Sequence, residues 1–355
     1  MTFDFLLHLV PHIFVVVLCV VVTPSLYHAH VNAFQKNQLN HCDFSNGKWV
    51  VDDPYYPLYD ASSDCPFIVQ GFDCLRNGRI DQDYLRYRWK PFDCDLKSRF
   101  DGVKFLNTYR GKKITFVGDS ISENMWQSLA CMLHIAVPQS NYTLTRITKH
   151  LSMFSFSEYE VSITWVKDGY LVDKFRDIKK GRILKLDSIS SRNLWHGDVL
   201  IFNTYHWWFH TGKIQTFFQL GNEIMEDMDN MEAFKIGLTT WSNWIDSNID
   251  PSKTIVIFQG IAAVHGGEND CMGRSEPLEG SKQSYPGVEI VKNVLSSMKS
   301  DVYWLDITLQ TQLRIDGHPS IYTGLGTSYE DCSHWCLAGA PDTWNEILYA
   351  VLLGI

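Results

Sequence analysis

Hydrophobic residues along this chain form short blocks separated by helical patterns. Four apolar runs of four or five residues are typical of strands buried on both faces, and they lie at residues 114–117, 199–202, 254–258 and 302–305. Between them, apolar positions recur every three or four residues, which predicts amphipathic helices. This alternation predicts an α/β fold in which helices cover a parallel sheet.

The first 33 residues contain a long apolar segment. Residues 5–22 are apolar apart from two histidines, which is long enough for a signal-peptide core and marginal for a membrane-spanning helix. Cleavage after Ala33 fits the small residues there, but the first basic residue is Lys36, so the usual positive n-region is missing. We expect residues 1–33 to be either a single-pass signal-anchor or a cleaved signal peptide, and both lead into the secretory pathway.

Residues 41–95 are rich in Cys, Asp, Tyr and Pro and have no long periodic segment, which predicts a small loop-rich lobe held by disulfides. Residues 96–355 then form the predicted α/β domain. One of the nine cysteines, Cys19, lies in the apolar segment. The others are even in number and predict four disulfides in an oxidising compartment: Cys42, Cys65, Cys74, Cys94, Cys131, Cys271, Cys332 and Cys336.

Composition excludes several classes of function. The net charge of −9 gives no basic footprint for nucleic acid, and neither a zinc-finger nor a Gly-Lys-Ser/Thr phosphate-loop motif is present. We therefore expect no bound metal and no nucleic-acid partner. Asn141 heads the sole N-glycosylation sequon of the chain, which predicts a glycosylated surface loop.

The strongest chemical signal is Gly118-Asp119-Ser120, which directly follows the first apolar run. A helical pattern comes next, so Ser120 is expected at a helix N-terminus. Unpaired backbone N–H groups and the helix dipole at such a position can stabilise a developing oxyanion. The residue two after Ser120 is Ser122 rather than glycine, which argues against the Gly-x-Ser-x-Gly elbow of α/β-hydrolases.

A second motif near the C-terminus complements the serine. A serine hydroxyl needs a base, and the spacing of Asp331 and His334 can supply an imidazole together with the carboxylate that orients it. This pair lies just before a helix that is predicted to begin at Pro341. The residues therefore predict a Ser120, His334, Asp331 triad for acyl transfer.

Polar and aromatic residues follow the second apolar run. Functional groups gather at the carboxyl ends of parallel strands, so Asn203 is a candidate oxyanion donor, with a strand-end turn cap as the alternative. Trp207 and Trp208 are candidates for stacking on sugar rings, with a place in the hydrophobic core as the alternative.

Longer strings resemble a known family. The N-terminal lobe has Cys42-Asp-Phe-Ser-Asn-Gly47-Lys-Trp49 and Tyr87-Arg-Trp89, and the motifs above extend to Asp331-Cys-Ser-His334-Trp-Cys-Leu337 and Pro341-Asp-Thr-Trp-Asn345. Over nearly its whole length after the apolar segment, the chain is similar to the trichome-birefringence-like family of plant cell-wall polysaccharide O-acetyltransferases.

This resemblance implies a three-layer αβα esterase-like domain of the GDSL/SGNH type beside a Cys-rich lobe. It implies Ser120 as nucleophile, His334 as base and Asp331 as its orienter. It also implies transfer of acetyl, from acetyl-CoA or another acetyl carrier and with no bound cofactor, to a hydroxyl of xylan, mannan, xyloglucan or pectin. The expected location is the Golgi membrane, as a single-pass type II protein with a luminal catalytic domain, and the alternative is secretion to the cell wall.

The resemblance further implies how the cysteines pair, namely Cys42 with Cys94, Cys65 with Cys131, Cys74 with Cys336 and Cys271 with Cys332. Some positions depart from the family pattern. Ile121 stands where the family commonly has leucine, and Met125 stands where it commonly has glutamine. These departures leave the triad intact but blur the subfamily and with it the polysaccharide.

Two other functions use the same residues differently. With water as acceptor, the triad would make a polysaccharide acetylesterase. A wall protein could instead bind or bridge acidic polysaccharide such as pectin without turnover, using local basic clusters such as Arg86, Arg88 and Lys90 although the net charge is negative.

Overall fold

The computed structural model describes most of the chain beyond the apolar segment: residues 42–52, 55–94, 96, 99–178, 180–190, 192–209, 215–225, 227–266, 270–280, 283, 285–326 and 329–354. The signal-anchor or signal peptide expected over residues 1–33 lies outside these ranges. Among the described residues, no helix has both the length and the apolar character needed to span a membrane.

The elements are numbered in chain order. The strands are β1 (Gly47–Val51), β2 (Tyr87–Pro91), β3 (Lys113–Gly118), β4 (Tyr142–Thr148), β5 (Leu151–Phe156), β6 (Val161–Lys167), β7 (Asp173–Asp177), β8 (Gly181–Lys185), β9 (Val199–Phe202), β10 (Thr216–Leu220), β11 (Glu223–Met225), β12 (Ile255–Gln259) and β13 (Val302–Leu305). The α-helices are α1 (Ala61–Asp64), α2 (Gly102–Thr108), α3 (Ser120–Ala136), α4 (His206–Phe209), α5 (Asn230–Asn248), α6 (Pro286–Ser297), α7 (Thr308–Gln312) and α8 (Ala340–Leu353).

A seven-stranded sheet in the order β13-β12-β9-β3-β6-β5-β4 forms the centre of the fold. Strands β13, β12, β9, β3 and β6 are parallel, and β5 and β4 complete the sheet in antiparallel pairing. The four apolar runs of the sequence are β3, β9, β12 and β13. The predicted α/β fold with a parallel sheet is therefore confirmed.

Helices cover both faces of this sheet. Alternate strand residues point to opposite faces, so Phe116 packs in one core with α2, α3 and α8, whereas Val117 packs in a second core with α5 and α6. Because both faces are buried, these strands are apolar throughout. The result is the expected three-layer αβα arrangement.

A second sheet, in the order β11-β10-β8-β7, was not predicted from the sequence. Its strand β7 reads Asp-Lys-Phe-Arg-Asp and is largely exposed, so it lacks an apolar signal. Pairing with β8 stabilises it.

The N-terminal lobe combines the antiparallel β1–β2 pair with loops and short helices. Its small core includes Tyr59, Cys65 and Cys74, and it is continuous with Cys131 of α3 and Cys336 near the C-terminus. Four disulfides are present, and they join the same cysteines that the family resemblance pairs: Cys42–Cys94, Cys65–Cys131, Cys74–Cys336 and Cys271–Cys332. Two of these bonds connect the lobe directly to the α/β domain.

Candidate active site

Ser120 is the first residue of α3, at the carboxyl end of the central strand β3. Asp119 caps the helix, since its carboxylate accepts a 2.9 Å hydrogen bond from the Ile121 backbone N–H. Gly118 is required by close packing, because a Cβ there would lie 2.7 Å from the backbone oxygen of Asn203. Strand, glycine and cap together place the Ser120 side chain at the helix N-terminus.

The structure brings Ser120, His334 and Asp331 into direct contact. His334 Nε2 lies 2.6 Å from Ser120 Oγ, and His334 Nδ1 lies 2.6 Å from Asp331 Oδ2. Oδ1 of Asp331 accepts from the backbone N–H groups of Ser333 and His334, at 2.9 and 3.1 Å. With Nδ1–H donating to Asp331, Nε2 is free to accept the serine proton, which is the geometry that a nucleophile and its base require.

Asp331 and His334 shift each other's pKa values. Burial alone would lower the pKa of His334, but the hydrogen bond and charge of Asp331 outweigh it and raise the pKa above its ordinary value. Burial alone would raise the pKa of Asp331, yet His334 and the backbone donors hold it well below its usual range. Asp331 therefore stays ionised and His334 is a stronger base than a free imidazole.

The loop that carries His334 is positioned by residues not singled out from the sequence. Asn124, one turn after Ser120 on α3, donates to Trp335 O at 2.9 Å and accepts from Trp335 N–H at 3.1 Å. His318 Nδ1 lies 2.6 Å from His334 O. Both side chains are buried, and burial lowers the pKa of His318 to about 3, so its imidazole is neutral. The spacing of Ser120 and Asn124, four residues apart on one helix, is the signal in the sequence that could have indicated that Asn124 positions this loop.

Asn203 lies next to the nucleophile turn, at the end of β9. Its backbone N–H donates to Val117 O at 3.0 Å, and the residue is 2% exposed. Its side-chain Oδ1 has no hydrogen-bond partner among the described residues. The position agrees with the predicted oxyanion role but does not test it. Gly169 is a further neighbour missed from sequence, since a Cβ there would lie 3.2 Å from Asp119 Cβ.

The two candidate stacking residues have different environments. Trp208 is 3% exposed, its Nε1–H donates to Thr204 Oγ1 at 2.8 Å, and its ring fills the space beside Gly237 of α5. The structure therefore places Trp208 in the hydrophobic core, which was the alternative to stacking on sugar. Trp207 is half-buried beside Gly169 and keeps that role as a prediction.

The predicted glycosylation position is at the surface. Asn141 is exposed immediately before β4, so a glycan there meets no steric obstacle from burial. Among the described residues, one group has metal-ligand composition, Asp270, Cys271, Glu330 and Cys332, but its two sulfurs are bonded to each other.

Fold and site together define an acyl-esterase of the GDSL/SGNH class, whose chemistry is acyl transfer or ester hydrolysis. Residues 98–351 match the sequence family described as "GDSL/SGNH-like Acyl-Esterase family found in Pmr5 and Cas1p", and residues 40–95 match the "PMR5 N terminal Domain". The chain belongs to the trichome birefringence-like family.

The similarity to individual members extends over most of both chains. Protein trichome birefringence-like 42 of Arabidopsis thaliana is 52% identical over 327 residues, covering 88% of this chain and 89% of that protein. Protein trichome birefringence-like 41 of the same plant is 50% identical over 326 residues, covering 87% and 89%. Protein trichome birefringence-like 4 is 38% identical over 360 residues, covering 90% and 77%.

Proposed function

We propose that this protein is an O-acetyltransferase that moves acetyl groups to hydroxyls of a plant cell-wall polysaccharide such as xylan, mannan, xyloglucan or pectin. The observation that carries the proposal is the 2.6 Å approach of His334 Nε2 to Ser120 Oγ, with Asp331 behind the imidazole. The acyl-esterase domain and the family membership support the acyl chemistry.

The first half of the reaction loads the serine. Ser120 Oγ attacks the carbonyl carbon of the acetyl donor while its proton moves to His334 Nε2. The tetrahedral oxyanion is stabilised by backbone N–H groups at the start of α3 and by the Asn203 side-chain amide. As the bond to the leaving group breaks, the His334 proton passes to that group, and acetyl-Ser120 remains.

The second half transfers the acetyl group. A sugar hydroxyl enters beside His334, which takes its proton as the oxygen attacks the acyl carbon. Collapse of the second tetrahedral intermediate breaks the bond to Ser120 Oγ and returns the proton to it. Asp331 stabilises the imidazolium in both halves, which is why its ionised state matters.

Donor and location belong to the same proposal. The donor is acetyl-CoA or another acetyl carrier, used as a substrate, and no resident cofactor takes part. We place the enzyme in the Golgi membrane through its N-terminal apolar segment, with the catalytic domain in the lumen. N-terminal sequencing of the mature protein tests this, because a start near Phe34 would mean a secreted protein.

A polysaccharide acetylesterase is the second candidate, and one observation favours it. The His334 side chain is 26% exposed, so water can reach the acyl-serine as well as a sugar can. The two functions share every step up to the acyl-enzyme and differ in the acceptor.

The decisive experiment supplies a labelled acetyl donor and a panel of deacetylated xylan, mannan and pectin oligosaccharides. Product on one glycan supports the transferase and names the acceptor. Release of acetate from pre-acetylated oligosaccharides without transfer would support the esterase. Glycan binding without either activity would support a non-catalytic wall protein.

The same experiment tests the nucleophile. Intact mass after brief exposure to donor should show one added acetyl group on the wild type and none on Ser120→Ala, because the variant lacks the hydroxyl that would carry the group. The variant should still fold, because the turn serine contributes little packing. Ser157→Ala, which changes an exposed serine before β6, is the matched control and should acetylate normally. Full turnover in Ser120→Ala would overturn the mechanism.

A further inference from the structure

A cleft with a volume of about 230 Å³ opens beside the first turns of α3. The lining includes Phe67 and Val69 of the N-terminal lobe, Arg146 near the end of β4, and Lys149 just after that strand. Glu123, one turn after Ser120, is also in the lining. The cleft is therefore next to the nucleophile and outside the groups that carry the reaction.

Strand register connects the basic side of this cleft to the nucleophile turn. Arg146 is opposite Ser152, Ser152 is opposite Trp165, and these positions share one face of the sheet. Lys167 is two residues after Trp165 on the same face, and its Nζ lies 5.9 Å from the centre of a Trp165 ring. Lys167 is also opposite Gly118, two residues before Ser120. A row of cations thus leads from the cleft to the serine.

Among the described residues, no carboxylate forms a salt bridge with Arg146, Lys149 or Lys167, and the charge of Glu123 acts on Arg146 and Lys167 from a longer distance. The basic cluster noted in the N-terminal lobe differs, since Arg86 pairs with Asp83 at 3.2 Å and Arg88 pairs with Asp52 at 2.7 Å. In a chain with net charge −9, three cations without a salt bridge among the described residues, two in the cleft and one beside the nucleophile turn, are available to a ligand.

One further feature of the lining fits an anionic ligand. Glu123 is the one acidic lining residue, and burial raises its pKa against the opposing charges of Lys167, His334 and Arg146. It therefore opposes an entering anion less than an exposed carboxylate would.

We propose that this cleft binds the carboxylate of a uronic acid residue, so that the acceptor is an acidic glycan. The inference rests on the proposed function, because it places an acceptor subsite beside acetyl-Ser120. Arg146 binds the carboxylate with its guanidinium fork, and Lys149 adds charge in the lining. Lys167, outside the lining, adds charge on the side of the nucleophile turn. Arg146 on β4 and Lys167 on β6 start about two strand spacings, ~10 Å, apart. Separated single cations suit carboxylates repeated along a chain better than one compact phosphate group.

Binding is measured first, without chemistry. Ser120→Ala protein is titrated with galacturonic acid oligosaccharides and with the same oligosaccharides after reduction of their carboxyl groups. We expect about tenfold tighter binding of the acidic set, with affinity falling as salt is raised. Arg146→Gln in the same background should remove that preference. Lys104→Gln, which changes an exposed lysine on α2, is the matched control and should keep it.

Transfer kinetics then separate this inference from the function on which it rests. With Ser120 restored, kcat/KM for the acidic acceptor should exceed that for the carboxyl-reduced acceptor, and Arg146→Gln should equalise the two. Equal affinities in the wild type would overturn the subsite and leave the transferase intact. Absence of acetyl-Ser120 would overturn the transferase, while the binding comparison still decides the subsite. The subsite would also be overturned if Arg146→Gln changed only the KM of a phosphate-bearing acetyl donor.

Discussion

At the residue scale, the proposed nucleophile Ser120 lies beside a histidine that the fold holds in place. Asp331 fixes the imidazole through Nδ1, and the Asn124 side chain holds the next peptide, at Trp335, through two hydrogen bonds. Each contact crosses between the nucleophile helix and the loop before α8, or lies within that loop. The distance between nucleophile and base is therefore set by packing rather than by the motifs alone.

The pH dependence of acylation follows from the raised pKa of His334. Protonated His334 cannot accept the serine proton, so the rate should rise with pH through a pKa above its ordinary value of 6.5. Asp331→Asn should lower the rate by roughly 10²–10⁴-fold and move that pKa downward, because burial then acts without the carboxylate. Single-turnover acetylation of Ser120 measured across pH checks both effects. An unmoved pKa in the variant would contradict the assignment.

Asn203 offers a second test at this scale. If its amide stabilises the oxyanion, Asn203→Ala should lower kcat about 10²–10³-fold with little change in substrate binding. Asn293→Ala, at an exposed site on α6, is the control. Steady-state kinetics give the answer, and a loss below about tenfold would leave Asn203 as a turn residue only.

Residue roles could be predicted from sequence where local turn chemistry decides them. Ser120 follows a buried strand and begins a helix, and Asp331 and His334 are close enough in sequence to meet in one turn, so these three were identifiable. Trp208 was not, because its burial depends on Gly237 of α5, whose missing side chain makes room for the ring. Contacts of this kind depend on tertiary packing and have no local signature.

At the element scale, the contact between the N-terminal lobe and α8 contains buried acids. Tyr59 donates to Asp342 at 2.8 Å, and Tyr56 donates to Glu346. Burial raises the pKa of Asp342 to about 6 and that of Glu346 to about 7. The helix thus meets the lobe through carboxyl groups that bind protons more tightly when folded than when unfolded.

This contact predicts how stability varies with pH. A carboxyl group whose folded pKa is raised contributes stability that is fully present below its unfolded pKa, about 4, and is lost as pH rises through the folded value. The unfolding free energy should therefore fall between about pH 4 and pH 7, and Glu346→Gln should reduce that fall. Urea unfolding at several pH values measures it, with exposed Glu158→Gln as control. An unchanged slope in Glu346→Gln would contradict the prediction.

Elements were predictable to the extent that burial shaped their sequence. Strands β3, β9, β12 and β13 are covered on both faces and therefore read as apolar runs. Strand β7 is mostly polar and exposed, and it is a strand because β8 supplies its hydrogen bonds. Strands at the exposed edge of a fold are therefore harder to predict from their own sequence than strands buried at its centre.

At the scale of the whole molecule, two disulfides brace the loop that carries His334. Cys332 bonds to Cys271, and Cys336 bonds to Cys74 of the N-terminal lobe. The cysteines therefore flank the histidine on both sides. Oxidation should affect the geometry of the site as well as the stability of the fold.

Two double variants separate these effects. Replacing Cys74 and Cys336 by serine should lower both stability, by a few kcal/mol, and the rate of Ser120 acetylation. Replacing Cys42 and Cys94, which close a loop within the lobe, should lower stability with a smaller effect on the rate. Thermal unfolding and single-turnover acetylation measure the two quantities. Equal rate losses in both variants would show that the brace acts on stability alone.

The Cys74–Cys336 bond spans 262 residues, nearly the entire length of the two domains. During synthesis, its second cysteine emerges 262 residues after the first, and Asp331 and His334 emerge just before it. A chain truncated before Asp331 thus contains Ser120 but not the proposed base. Under the proposed mechanism, a nascent chain cannot consume acetyl donor until His334 has emerged and packed against Ser120.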